Sequence, residues 1–226
     1  EDVCLQGRVL VNVEDRIMQT SFLGCQWQVP FGIAPMGMCD LFWPGADKAM
    51  ARVAREIGLP LGVSTMSSTT LEQLFDLAGG NAWFQLYAGE SDQLTHNLVA
   101  RAASTGYQVL ILTADVPALA PRQRDLRNGF KMPFRIGPKQ ALDFACHPQW
   151  TLATLKNGRP KFRNINSVSK NVTVGTRVGQ FRREAGRGHF DWNFLRELRA
   201  QWPHKLILKG VMCAEDARNA VDAGAD

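Results

Sequence analysis

YQVLILTADV, residues 107–116, is an apolar run that closes on a threonine and an aspartate. A run this short, apolar throughout, reads as a strand buried on both faces. Thr113 and Asp115 lie two residues apart and so share one face at its C-terminal end. The same ending recurs along the chain. LPLGVSTM (59–66) carries Ser64, AWFQLY (82–87) carries Gln85 and Tyr87, and KLILKGV (205–211) carries Lys209. VPFGIAPM (29–36) is a further run that ends at a Pro35-Met36-Gly37 turn.

Between these runs the apolar residues fall at helical spacing. ADKAMARVAREIG (46–58), TTLEQLFDLAGG (69–80), SDQLTHNLVARAASTG (91–106), DWNFLRELRAQW (191–202) and AEDARNAVDAGAD (214–226) read as helices with polar starts. Alternating strands and helices imply βα units on a parallel sheet. Two α/β architectures fit, a doubly wound sheet and a (β/α)8 TIM barrel. No GxGxxG follows any of the runs, which weakens the dinucleotide-binding sheet. Polar residues at the C-terminal ends of several strands are how a barrel mouth is built. A barrel is therefore expected, incomplete, with about five of eight units, as in a fragment. TSFLGCQWQVP (20–30) reads as a hairpin over the barrel's lower end.

The 226 residues are 45% hydrophobic and 21% charged, an ordinary globular composition. No apolar run approaches the roughly 20 residues of a membrane span, and EDVCLQGRVL at the start has no signal-peptide pattern. These features suggest a cytoplasmic protein. The five cysteines form no CxxC pair and the four histidines lack metal-ligand spacing, so neither a disulfide framework nor a metal site is expected. Charge is uneven. Residues 116–190 hold 15 Lys/Arg against 3 Asp/Glu, and the remainder holds 11 against 18. The stretch 117–190 is far longer than a usual βα loop and reads as a basic insert after the fourth strand.

Several residues can carry chemistry. Lys209 at a strand's end suits either a Schiff-base nucleophile or a fixed positive charge for an anionic cofactor. Gln85 offers a donor and an acceptor to a heterocycle edge, and Tyr87 beside it can bond a carboxylate or hydroxyl. Asp115 needs a partner where an apolar strand ends. Arg122, in the loop beyond, presents a planar fork that grips a carboxylate.

IAPMG, VSTMSS, WFQLY, LTADVPxxxxRxRDLRNGF and LILKGV, in that order, resemble the FMN-dependent 2-hydroxy acid oxidases and dehydrogenases, which include glycolate oxidase and the lactate and mandelate dehydrogenases. The resemblance runs from about residue 8 to 226 and implies a partial FMN-binding TIM-barrel domain over 1–226. It implies that Pro35, Met36 and Gly37 lie against the flavin ring, and that Ser64, Gln85 and Thr113 bond its polar edge. Tyr87 is then shared between flavin and substrate, Arg122 binds the substrate carboxylate, and Met66 and Leu119 meet the substrate side chain. Asp115 orients a catalytic histidine, and Lys209 faces the flavin edge that becomes negative on reduction. That histidine belongs to an Asn-His-Gly-Gly-Arg motif which the family's spacing places beyond Asp226. None of His96, His147, His189 and His204 replaces it.

The implied activity is oxidation of a small L-2-hydroxy acid to a 2-oxo acid by FMN in the full-length parent; against the family's pattern the chain is expected to be a fragment lacking both ends, inactive alone. Two alternatives stand beside it, a catalytically inactive truncated barrel and a Schiff-base aldolase-type barrel using Lys209. The resemblance also implies a homo-oligomer and, through the basic insert, peripheral membrane contact. A solvated insert is an equal expectation, with SVSKNVTVGTRVGQ (167–180) as a flexible lid. Without a recognised motif or an ordered set of aromatics, nucleic acid is not expected as a partner.

Overall fold

The computed structural model of the chain describes residues 6–7, 9–88, 92–116, 123–128, 136–158, 161–166 and 191–226. Strands β1 (Thr20–Phe22) and β2 (Cys25–Trp27) form the expected antiparallel hairpin. Phe22, tilted, and Trp27, edge-on, both pack against Trp83, early in the second strand of the main sheet. The hairpin therefore covers the N-terminal end of that sheet.

The main sheet is parallel and contains β3 (Leu61–Ser64), β4 (Ala82–Leu86), β5 (Val109–Thr113) and β6 (Lys205–Lys209). Its order is β3-β4-β5-β6, the order of the chain. A doubly wound sheet reverses its order at a switch point, whereas a barrel adds each strand beside the last. The sheet is thus an arc of a (β/α)8 barrel. Helices α1 (Cys39–Phe42) and α2 (Ala46–Ile57) precede β3, α3 (Leu71–Leu77) joins β3 to β4, and α4 (Asp92–Thr105) joins β4 to β5. The helix Trp192–Gln201 leads into β6, and Ala214–Asp222 follows it.

VPFGIAPM does not form the expected strand. A single parallel bridge joins Ile33 to Leu61, with Ile33 N–H donating to the Pro60 carbonyl at 2.9 Å and Gly62 N–H to the Ile33 carbonyl at 2.8 Å. Pro30 and Pro35 flank the bridge. Neither has an N–H to donate, which confines the ladder to one residue.

Strand alternation divides the sheet into two faces. Leu61, Val63, Phe84, Leu86, Leu110, Leu112 and Leu206 are buried in one core with Ala51, Ala54, Leu71, Leu74, Leu98, Ala102, Leu195 and Leu198 from the helices. The opposite parity carries Gly62, Ser64, Trp83, Gln85, Ile111, Thr113 and Lys209. Every polar strand-end residue singled out within these strands sits on this second face. Small residues in α2 let the helix lie close to the sheet, with Ala51 and Ala54 fully buried. Side chains cap helix starts: Thr70 Oγ1 accepts from Gln73 N–H at 3.3 Å, Asp191 Oδ1 from Phe194 N–H at 2.9 Å, and Cys213 Sγ from Asp216 N–H at 3.5 Å.

Within 117–190 the described residues form four helices, Gln123–Arg127, Pro138–Cys146, Pro148–Asn157 and Arg163–Asn166. The expectation of a solvated insert does not hold for all of them. Trp150 Nε1 donates to the Leu41 carbonyl at 3.2 Å, and Phe162, Asn164 and Ile165 are buried against the barrel. The stretch 167–180, expected to act as a lid, lies outside the described residues.

Candidate functional site

A row of polar side chains crosses the C-terminal ends of three strands. Ser64 Oγ donates to Gln85 Oε1 at 3.0 Å, and Gln85 Nε2 donates to Thr113 Oγ1 at 2.8 Å. Ser64 and Gln85 are register partners across β3 and β4, and Thr113 pairs with Lys209 across β5 and β6. All three hydrogen-bonding residues are buried, none more than 6% exposed. With one bond at each end, the Gln85 amide is held in a single orientation. It keeps a second N–H and a second lone pair for a ligand.

Lys209 continues the row at its open end. Its ammonium donates to Asp115 Oδ2 at 2.9 Å, with both side chains partly exposed. Gly210 makes this approach feasible. Its φ of +106° disfavours any side chain, and a Cβ there would stand 2.4 Å from the Asp115 Cβ.

The segment 35–37 crosses above β3. Met38 N–H donates to the Met66 carbonyl at 3.1 Å, and Met66 N–H donates to Ser64 Oγ at 3.1 Å. A Cβ on Gly37 would meet the Met66 Cβ at 2.9 Å. The turn after β3 and the 35–38 segment are thus laced together, with Met36 and Gly37 exposed at the surface. Tyr87 is fixed through its backbone, its N–H donating to Thr65 Oγ1 at 3.0 Å. The structure therefore brings Pro35, Met36, Gly37, Ser64, Met66, Gln85, Tyr87, Thr113, Asp115 and Lys209 to one end of the sheet. Arg122 and Leu119 lie outside the described residues.

Two residues that support this end give no sign of it in the sequence. Asp47, 3% exposed, accepts from the N–H groups of Ser68 and Thr69 at 2.7 and 3.1 Å. Burial pushes its carboxyl above the ordinary value and nearby Asp40 adds to this, while the two N–H groups oppose it. Burial also pushes the neighbouring Cys39 thiol up to about 11, helped by Asp47 and Asp40, so this cysteine is an inert, protonated thiol. Asn164, fully buried, accepts from Leu71 N–H at 2.8 Å and donates to Ser67 Oγ at 3.0 Å. A lone aspartate in a helix start and an asparagine in a basic stretch carry no local signal of such a role.

No histidine stands at this end among the described residues. His96 pairs with Gln201 at 2.6 Å, His147 lies in the insert, and His204 precedes β6 at the end opposite Lys209. His189 is outside the described residues. Among the described residues no group of His, Cys, Asp and Glu could hold a metal ion.

A model of the FMN-dependent dehydrogenase family matches residues 1–226. The chain is 38% identical over 218 residues to (S)-mandelate dehydrogenase of Pseudomonas putida, covering 96% of this chain and 54% of that protein. It is 33% identical over 226 residues to a putative L-lactate dehydrogenase of Mycobacterium tuberculosis (strain ATCC 25618 / H37Rv), covering 100% of this chain and 53% of that protein. Among solved structures, monotopic membrane protein (S)-mandelate dehydrogenase superposes with a TM-score of 0.89 at 37% identity, over 97% of this chain and 58% of that one. The chain spans about half the length of the curated relatives it matches.

Proposed function

Because the chain belongs to the FMN-dependent dehydrogenase family, we propose that its parent protein oxidises a small L-2-hydroxy acid to the 2-oxo acid at the mouth of this barrel. The observation that carries the reading is the buried Ser64–Gln85–Thr113 row ending at the Lys209 ammonium.

This end of the barrel fits FMN. A flat heterocycle with alternating donors and acceptors needs a fixed amide, which Gln85 supplies. It needs backbone that a ring can approach, and residues 36 and 37 are exposed there. It also needs a cation at the edge that gains charge, and Lys209, register partner of Thr113, is the residue proposed to supply it. Bound FMN would supply the two-electron acceptor for the substrate α-carbon. Tyr87 and Arg122 hold the substrate, the first through its hydroxyl and the second through a two-pronged grip on the carboxylate. Asp115, paired with the Lys209 ammonium at this same end, offers a carboxylate suited to orienting a protonated base. Among the described residues no histidine stands at this end, so the residues placed here are assigned to binding and orientation. The proton acceptor is expected from the Asn-His-Gly-Gly-Arg element of the parent.

The test is anaerobic titration of the FMN-loaded parent protein with glycolate, L-lactate and (S)-mandelate. Loss of the yellow flavin absorption with at least one acid is expected. Retention with all of them contradicts the reading. Borohydride trapping of a keto acid on Lys209 without any flavin would instead favour the aldolase-type alternative.

Membrane contact is a second proposal, and a specific surface favours it. Ile136, Leu142, Leu152 and Leu155 of the insert are exposed within a stretch rich in Lys and Arg. Apolar side chains beside cations suit the surface of an anionic bilayer. No described helix is long and apolar enough to cross a membrane. Replacing Leu142, Leu152 and Leu155 with serine should reduce sedimentation with anionic vesicles. Unchanged sedimentation removes the insert from the contact.

A further inference from the structure

We propose that Asn164 is a positioning residue for the substrate side chain, pinning residues 161–166 of the basic insert as one wall of the pocket beside Met66 and Tyr87. The proposal rests on the 2-hydroxy acid reading and goes beyond it by naming what shapes the pocket.

Asn164 is fully buried although it lies in a polar, basic stretch. Its carboxamide serves three groups around the turn after β3. Oδ1 accepts from Leu71 N–H at 2.8 Å, and Nδ2 donates to Ser67 Oγ at 3.0 Å and to the Ser64 carbonyl at 3.5 Å. Arg101 Nη1 in turn donates to the Asn164 carbonyl at 3.0 Å. That arginine is fixed by a two-pronged pair with Glu72, with bonds of 2.8 to 3.0 Å. The insert is thereby tied to both α3 and α4.

This arrangement has a consequence for the site. Phe162 and Ile165 flank Asn164 and form a separate apolar cluster with Met38, Met66, Tyr87 and Leu94. Met66 and Tyr87 are the residues proposed to meet the substrate, and Met66 N–H is held by Ser64 of the flavin-facing row. A side chain that fixes Ser67 and the Ser64 carbonyl fixes the turn carrying Met66. A side chain that fixes the insert backbone sets where Phe162 and Ile165 press. An apolar wall of this kind favours 2-hydroxy acids with bulky apolar side chains over glycolate.

Three variants of the FMN-loaded parent protein test this: Asn164→Ala, Asn164→Asp and Phe162→Leu. The readouts are the FMN dissociation constant, the spectral shift on titration with phenylacetate, and kcat and KM for (S)-mandelate and glycolate. An aspartate keeps the acceptor but loses both donors. For both Asn164 variants, phenylacetate affinity and the mandelate KM should worsen by roughly tenfold. FMN affinity should change by less than about twofold, and the mandelate kcat should be similarly spared. Phe162→Leu leaves the latch in place and should shift the mandelate-to-glycolate ratio of kcat/KM by about fivefold or more. Unchanged phenylacetate affinity, or loss of FMN in parallel with substrate, overturns the positioning role. An unchanged ratio in Phe162→Leu overturns the wall even if the Asn164 variants fail to fold. If the unaltered protein bleaches with no 2-hydroxy acid, the function reading fails and this proposal falls with it. Bleaching with unchanged ratios sinks this proposal alone.

Discussion

Lys209 and Asp115 meet at 2.9 Å across the ends of β6 and β5, at the open end of the Ser64–Gln85–Thr113 row. Their side chains are 45% and 38% exposed, so the pair contributes at most about 1 kcal/mol to stability. Its placement points to function instead. Lys209→Met should leave the urea midpoint nearly unchanged and weaken FMN binding by about tenfold or more. Fluorescence quenching of FMN on binding measures this. Equal affinity in the variant would detach Lys209 from the flavin.

Gly210 tests the geometry behind that pair. Its positive φ, and the 2.4 Å that would separate an added Cβ from the Asp115 Cβ, leave no room for alanine. Gly210→Ala should cost about 1–3 kcal/mol and displace the Asp115 carboxylate. Urea unfolding gives the first effect, and slower bleaching of the FMN-loaded parent protein by its 2-hydroxy acid reports the second.

Asp47 holds the turn that carries Met66. Asp47→Ala strands the N–H groups of Ser68 and Thr69 and should cost about 2–3 kcal/mol, whereas Asp47→Asn keeps an acceptor and should cost less. Burial raises this carboxyl in the folded state, so folding favours its protonated form. Its contribution is greatest below the ordinary carboxylate value and is lost as pH rises through the raised one. The pH slope of stability in that window should flatten in Asp47→Asn.

Asp226 behaves oppositely. Hydrogen bonding from Lys205 at 2.6 Å, with help from Leu206 N–H and Arg199, holds its carboxyl below the ordinary value against the opposing effect of desolvation. Its stabilisation is present above the ordinary carboxylate value and is lost as pH falls through the lowered one. Asp226→Asn should lower the thermal midpoint at neutral pH, and the difference from the parent should vanish in acid.

Much of this site is legible in the sequence because a strand announces itself twice, by its apolar run and by what stands at its end. Period-2 spacing alone puts Gln85 with Tyr87 and Thr113 with Asp115, and the strand register then sets Gln85 and Thr113 on one face. Lys209 stands out as the odd cation at a strand terminus. The run at 29–36 misleads because hydropathy does not count missing N–H groups, and prolines at 30 and 35 limit VPFGIAPM to one bridge. The insert is legible only as charge. Asn164 and Asp47 act over 93 and 21 residues of chain separation, a distance over which neither spacing nor composition carries information.

FMN affinity of the parent protein, measured beside that of Gln85→Leu, bears hardest on where the flavin sits. Leucine fills the space but abolishes both bonds of the row. The parent protein should bind FMN, and Gln85→Leu, still folded by circular dichroism, should lose roughly tenfold or more of that affinity. Equal FMN affinity in the two proteins would contradict the placement of the flavin at this end of the barrel.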